Sequence, residues 1–142
     1  MILFINTFQI DLIQVKLIKN DKVVCVQENH DDYKQSELLL TMIDKIIRNL
    51  KFEIRNLTAI AVVSGPGAFS ALRLGITTAN TLAWSLGILV MELSADEVAD
   101  DEILIEVLKN KIKDQRPKTK DQFKSVVPKY GREPNITKAQ EQ

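Results

Sequence analysis

Two short apolar segments, separated by one helix-length stretch, constrain the fold of this chain most. Residues 58–63 read TAIAVV and residues 88–93 read ILVMEL, and both have the length and composition of buried strands. The helix between them is predicted to begin near Ser70, after a glycine-containing turn, and to end at Gly87. Because a strand, a helix and a second strand in this order form a right-handed parallel crossover, the sequence predicts an α/β fold.

The N-terminal part adds three strands and one helix to this pattern. Residues 2–8, 12–19 and 23–27 are predicted to form a meander, in which Asn20-Asp21 makes the hairpin turn. Apolar residues then follow helical spacing through residues 35–50. The predicted order βββαβαβ gives a mixed five-stranded sheet with helices. This order resembles the ribonuclease-H-like domains of the actin/Hsp70 ATPase superfamily, a likeness of fold that does not establish activity.

The sequence changes character after residue 94. Residues 96–113 are strongly charged and follow a helical pattern, and three prolines after residue 116 prevent a continuous helix. Residues 115–142 are predicted to form an extended tail, in which Val126-Val127 docks on the body. We therefore expect a ribonuclease-H-like domain at residues 1–99, followed at 100–142 by a charged helix and an extended tail.

Composition limits the class of protein. The 19 basic and 19 acidic residues balance, so no net field attracts a polyanion, and nucleic acid is not predicted as a direct partner. Cys25 is the single cysteine, which excludes an intramolecular disulfide and favours a reducing compartment, so we expect a cytoplasmic protein. Residues 74–91 lack charged side chains over almost the length of a membrane span, but their polar residues argue against one.

A glycine-containing segment, SGPGAFSALR at residues 64–73, joins the central strand to the following helix. Backbone amides at a helix N-terminus attract anions, so residues 65–70 are a conceivable phosphate site. The segment lacks the Lys-Ser/Thr ending of a P-loop and the third glycine of a dinucleotide fingerprint. Composition alone favours a tight turn, in which Gly65 and Gly67 supply unusual backbone angles and Pro66 supplies stiffness.

Small residues recur every four positions on the helix that follows this segment. Ala71, Gly75 and Ala79 give one face almost no bulk, so a second backbone can approach it closely. The alternative is that this face packs on the chain's own sheet. Larger apolar residues already supply a sheet-facing stripe, which leaves Ala71, Gly75, Thr78 and Leu82 for another surface. The pattern therefore favours a subunit interface.

No catalytic, cofactor-binding or metal-binding residues are predicted. Metal-dependent phosphoryl chemistry in this fold needs converging carboxylates that begin on the first strand, where this chain has Asn6. His30 is the only histidine, which is too few for a zinc site or a catalytic triad. Cys25 is predicted to be a buried, inert thiol, and Trp84 is assigned to core packing.

Four segments of the sequence are similar to the TsaB (YeaZ) family. GPGAFSALRLGITTANTLA at residues 65–83 resembles the family pattern GPGSFTGLRIGLATAKGLA, including Gly65, Pro66, Gly67, Ser70 and Arg73 of the signature loop. QSELLLTMID at 35–44 resembles the family's HSERLLPMID helix, and FINT at 4–7 resembles its AIDT strand. VPKYGREP at 127–134 resembles its P-x-Y-x-R-x-P close. The resemblance identifies the chain as a short form that lacks most of the family's second domain.

The resemblance implies a function in making threonylcarbamoyladenosine on tRNA. TsaB is an inactive paralogue of the transferase TsaD, and its two long helices pair with TsaD or with another TsaB; the ATPase TsaE joins this assembly. We therefore expect a non-catalytic scaffold that needs no cofactor, homodimerises when alone and meets tRNA only indirectly. The expected interface residues are Gln35, Leu40, Asp44, Ala71, Gly75, Thr78, Ala79 and Leu82.

Two departures from the family weaken any role in binding nucleotide. Asn6 stands in place of the aspartate on the first strand, and Gln35 in place of the histidine on the first helix. The alternative function is a stand-alone nucleotide-binding phosphotransferase or hydrolase of the actin-like ATPase superfamily, which would use residues 65–70 as an anion cradle.

Overall fold

The computed structural model describes residues 1–9, 11–30, 35–49, 51, 53–67, 69–114 and 124–129. Five strands are present in this part of the chain: β1 (Ile2–Asn6), β2 (Ile13–Lys19), β3 (Lys22–Asn29), β4 (Ala59–Gly65) and β5 (Leu89–Ser94). The α-helices are α1 (Gln35–Asn49), α2 (Phe69–Leu86) and α3 (Asp101–Asp114), and short 3₁₀ turns lie at Ile54–Asn56 and Ala95–Val98.

The strands form one mixed sheet in the order β3-β2-β1-β4-β5. The first three strands are an antiparallel meander, and β4 and β5 extend it in parallel with β1. Asn20 and Asp21 at the β2–β3 turn have φ values of 52° and 62°, the left-handed conformation that a two-residue hairpin turn requires. The mixed five-stranded α/β prediction is therefore confirmed.

Side chains alternate between the two faces of the sheet and build a core on each. Leu3 and Ile5 of β1 point towards α1 and α2, whereas Phe4 between them points towards α3. On the α3 side, Leu104 and Leu108 pack with Phe4 against the strands. The sheet is thus covered by two helices on one face and by α3 on the other, which is the layered arrangement of an α/β domain.

Two ion pairs connect α3 to the sheet, one at the first turn of the helix and one in its second half. Lys16 Nζ donates a hydrogen bond to Asp101 Oδ1 at 2.6 Å, and the Lys16 side chain is largely buried. Lys109 Nζ lies 3.4 Å from Asp21 Oδ2 in the β2–β3 turn. α3 therefore packs with the strands of residues 1–99, and the division of the chain at residue 99 stays a prediction.

Within the described residues, no helix is both long enough and apolar enough to cross a membrane. Cys25 lies on β3 and is half-buried, so its thiol is less deeply enclosed than the sequence predicts.

Candidate functional site

The signature loop begins where β4 ends, and its first glycine packs against another part of the same chain. The Gly65–Pro66 peptide bond is cis, and Gly65 has a φ of +130°, a conformation that side chains rarely adopt. A Cβ atom at Gly65 would overlap the carbonyl oxygen of Lys129, whose own backbone N–H donates to the carbonyl of Ser64 at 2.7 Å. Gly65 is therefore required by close packing of the chain on itself.

The space beside the second glycine of the loop is also filled by backbone atoms of the same chain. A Cβ atom at Gly67 would overlap the carbonyl oxygen of Phe8, just beyond the end of β1. Pro66 is exposed in the same loop, and Ser70 and Arg73 are exposed on the first turns of α2. The five signature residues thus lie together, and contacts within the chain account for both glycines without a ligand.

The position of the small-residue stripe on α2 corrects the sequence prediction. Ala71, Gly75 and Ala79 are buried inside the chain's own core and do not face outwards. Thr7, which follows β1, is fully buried and donates its hydroxyl hydrogen to the carbonyl of Ala71 at 2.7 Å. A Cβ atom at Gly75 would overlap Thr7 Oγ1. The stripe lets α2 pack closely on the first strand, which is the alternative that the sequence disfavoured.

The other predicted interface residues lie on the outer sides of α1 and α2. Leu40 and Asp44 are exposed on α1, and Thr78 and Leu82 are half-buried on α2. Trp84, assigned to the core from sequence, is 53% exposed on the same helix. We call the first four of these residues the α1–α2 surface, because helical periodicity places Trp84 on the opposite side of α2 from Leu82. The side chain of Gln35, the remaining predicted interface residue, lies outside the described part of the structure.

Leu40 and Leu82 give the α1–α2 surface an apolar character. Leu40 is 61% exposed, so neither core holds most of its side chain. Asp44 accepts a hydrogen bond from Arg48 Nε at 3.1 Å, which places a charged pair one turn from Leu40. Exposed aliphatic side chains with charged neighbours are typical of an interface core and its rim.

The polar residues considered for chemistry either have hydrogen-bond partners within the chain or are exposed to solvent. Asn6 is buried; its Nδ2 donates to Gln14 Oε1 at 3.4 Å, and its Oδ1 accepts the backbone N–H of Phe8 at 3.3 Å. His30 is exposed and lies 3.6 Å from a carboxylate oxygen of Glu28. Among the residues whose positions are described, no group of three or more His, Cys, Asp or Glu side chains could hold a metal ion.

Asn80, on the opposite side of α2 from Thr78 and Leu82, makes a contact whose pair of residues the sequence does not predict. The side-chain amide of Asn80 donates to the carbonyl of Val126 at 2.9 Å and accepts the Val126 N–H at 2.8 Å. Val126 is buried in the core beneath α1 and α2, whereas Val127 is 66% exposed. The predicted docking of this dipeptide is confirmed for Val126 and wrong for Val127. The two residues joined by this amide are 46 positions apart, and no local pattern connects them.

Sequence comparison gives this geometry a family context. The family described as TsaD: tRNA N6-adenosine threonylcarbamoyltransferase matches residues 29–99, half of the chain. The tRNA threonylcarbamoyladenosine biosynthesis protein TsaB of Bacillus subtilis (strain 168) is 29% identical over 83 residues, which cover 58% of this chain and 36% of that protein. TsaB of Buchnera aphidicola subsp. Schizaphis graminum is 32% identical over 93 residues, 66% of this chain and 43% of that protein.

A transferase and a solved structure are also similar. The tRNA N6-adenosine threonylcarbamoyltransferase of Vesicomyosocius okutanii is 42% identical over 50 residues, which cover 35% of this chain and 15% of the enzyme. The structure of YeaZ from Pseudomonas aeruginosa superposes with a TM-score of 0.62 at 24% identity, covering 66% of this chain and 43% of that one, and so shares the fold. This chain spans less than half the length of each of these relatives.

Proposed function

This chain belongs to the TsaB (YeaZ) branch of the TsaD-type family, and we propose that it serves in tRNA threonylcarbamoyladenosine biosynthesis as a non-catalytic scaffold subunit. The observation that carries the proposal is the α1–α2 surface, where Leu40 stands 61% exposed on α1 and Leu82 is half-buried on the neighbouring helix α2. The names of the relatives support the pathway. The exposed apolar side chains support a function that depends on binding another protein.

The proposed partner is a TsaD-type catalytic subunit, which docks on the α1–α2 surface. Leu40 and Leu82 would enter the apolar centre of the contact, and the Asp44–Arg48 pair would lie at its polar rim. In the absence of that subunit, two copies would pair through the same surface as an isologous homodimer. A TsaE-type ATPase would join the assembly elsewhere, tRNA would contact the catalytic subunit, and the complex would be cytoplasmic.

One feature of the signature loop and one of β1 support a scaffold over an enzyme. Gly65 and Gly67 leave room for the carbonyls of Lys129 and Phe8, so the close approach that such glycines offer to a phosphate is used within the chain. Asn6 contributes no negative charge to a metal site and has its hydrogen bonds made by Gln14 and the backbone. No contact in the described structure favours the phosphotransferase or hydrolase alternative.

The test is loss of partner binding without loss of fold. Replacing Leu40 by Lys places a charge on the α1–α2 surface. Because Leu40 is exposed, the variant should fold and keep the circular dichroism spectrum of the wild type. Calorimetric titration with a purified TsaD-type subunit should show affinity reduced by about thirtyfold, the size of a hot-spot effect. Ile103→Lys is the matched control, because Ile103 is also an exposed apolar residue but lies on α3 at the opposite face. Equal affinity for both variants would contradict the proposed interface.

A second titration separates the scaffold from the enzyme. The isolated chain is titrated with ATP and magnesium, and the scaffold proposal expects no binding heat. Binding by the isolated chain would instead favour a nucleotide-dependent enzyme. Complementation of a TsaB-depleted strain by the wild-type chain, but not by Leu40→Lys, would then connect the surface to the pathway.

A further inference from the structure

Residues 124–129, which we call the C-terminal strap, lie across α2 and the end of β4 and are held at three places. Asn80 makes its paired hydrogen bonds to Val126, and the backbone N–H of Lys129 donates to the carbonyl of Ser64. At the far end, Lys129 Nζ lies 3.4 Å from a carboxylate oxygen of Glu92 on β5. The strap has no strand or helix of its own. It is therefore attached through a few defined groups instead of a hydrogen-bonded ladder.

The body of the domain is shaped to receive this segment. The side-chain amide of Asn80 uses both its donor and its acceptor on one residue of the strap, an arrangement that recognises extended backbone. Gly65 has no side chain at the point where the Lys129 carbonyl lies, and any other residue there would overlap it. Asn80 binds the backbone of the strap, and Gly65 leaves room for it. The docking of the strap on the domain is therefore specific.

The contact between the strap and the domain is nevertheless small for a segment of six residues. Val126 is the only strap side chain that is buried, while Lys124, Ser125, Val127 and Lys129 are exposed. One buried side chain, three hydrogen bonds and one exposed ion pair must offset the conformational entropy of six residues. Segments with so few buried contacts open at a lower free energy than the whole domain.

We propose that the C-terminal strap is a latch, which detaches as one unit while the sheet and helices stay folded. Detachment uncovers Ser64 and Gly65 at the carboxyl end of β4, next to the parallel strand β1. In open α/β sheets, groups bind outside the carboxyl ends of the parallel strands. The closed latch keeps this edge filled with the chain's own backbone, and the open latch makes it accessible. The inference concerns the isolated chain and does not depend on the α1–α2 surface.

The experiment measures amide hydrogen exchange in the full chain by NMR, at increasing concentrations of urea below the unfolding transition. The reporters are the N–H groups of Val126 and Lys129, and the references are ladder amides of β1 and β4. A latch predicts that the two reporters exchange through a common opening that is easier than that of the sheet and only weakly dependent on urea.

Two variants test whether the strap opens as a unit. Asn80→Ala removes both hydrogen bonds to Val126 and should speed exchange at Lys129 by about tenfold to a hundredfold, although Asn80 does not bond Lys129. Thr81→Ala, at an exposed neighbouring position on α2, is the matched control and should leave both reporters unchanged. The global stability of each variant, from urea unfolding followed by circular dichroism, corrects the rates for any change in the whole domain.

Two results would overturn the latch. If Val126 and Lys129 exchange at the rates and urea dependence of the sheet amides, the strap is an integral part of the domain. If Asn80→Ala speeds exchange at Val126 but leaves Lys129 unchanged, the segment frays residue by residue. Neither result bears on binding at the α1–α2 surface, so failure of the latch and failure of the scaffold proposal are distinguishable.

Discussion

Replacement of Gly75 by alanine adds one methyl group where α2 packs on Thr7. Helix propensity alone predicts that the change stabilises α2 by about 1 kcal/mol, because glycine loses more backbone entropy on folding than alanine. Packing predicts the opposite. The new methyl group would overlap Thr7 Oγ1, and Thr7 Cβ and Cγ2 each lie only 3.3 Å from its position. The measured sign therefore decides which effect is larger.

The magnitude follows from the contacts that must give way. Forcing a methyl group into a filled core costs about 1–3 kcal/mol. If the Thr7 side chain turns away, its hydroxyl loses the 2.7 Å bond to the Ala71 carbonyl in a fully buried position, which costs a further amount of about 1–3 kcal/mol. After subtraction of the helix-propensity gain, Gly75→Ala should lower the free energy of unfolding by about 1–5 kcal/mol. Gly75→Leu should prevent folding.

The assay is urea unfolding followed by circular dichroism. The double variant Thr7→Ala/Gly75→Ala should be more stable than Gly75→Ala alone, because removal of Oγ1 and Cγ2 makes room for the new methyl group. Thr81→Ala reports helix propensity at an exposed site on the same helix. A Gly75→Ala protein more stable than the wild type, or a Gly75→Leu protein that stays folded while a dimer dissociates, would refute this account of α2.

Three further changes follow from contacts described above. Asp101→Ala should lower the free energy of unfolding by about 1–3 kcal/mol, because it leaves the largely buried ammonium of Lys16 without its partner, and Lys16→Met in the same chain should recover part of the loss in urea unfolding. Leu108→Ala should cost about 2–5 kcal/mol by the same measurement, and an effect below 1 kcal/mol would mean that α3 is not part of the core. Gly67→Ala should lower the melting temperature through overlap with the Phe8 carbonyl, and a melting temperature equal to that of the wild type would contradict the packing of the loop on the segment after β1.

The element order was predictable because each element carries its own periodicity. Residues 58–63 and 88–93 are apolar apart from Thr58 and Glu92, as expected of strands covered on both faces, and the two strands found there are β4 and β5. The two-residue turn at Asn20-Asp21 fixed the β2–β3 hairpin, since both residues tolerate positive φ. The ends of the elements differ by one or two residues, with β1 stopping at Asn6, the last of its residues that pairs with β2.

The inner and outer sides of α2 were not predictable from spacing. A stripe of small residues allows close approach equally well to a strand beneath the helix or to a partner above it, and the choice depends on Thr7, which is 64 positions away from Ala71 in the sequence. Trp84 is a second example: the sequence predicts burial, because large apolar side chains are mostly buried, but the packing of its neighbours leaves its side chain exposed. The Asn80–Val126 contact needs the folded chain to bring its two halves together.

The strap also determines where this domain can accept additional sequence. α3 and the strap both pack on the same domain, so the nine residues 115–123 connect two segments that are each held by their own contacts. The entropic cost of joining two fixed ends by a flexible connection rises only with the logarithm of its length, by about 0.6 kcal/mol for each doubling. Inserting several dozen residues at this point would thus cost the fold about 2 kcal/mol, provided that the insertion folds by itself. The junction between α3 and the strap is therefore a position at which evolution or protein engineering can add or remove a whole domain while Val126 keeps its place in the core.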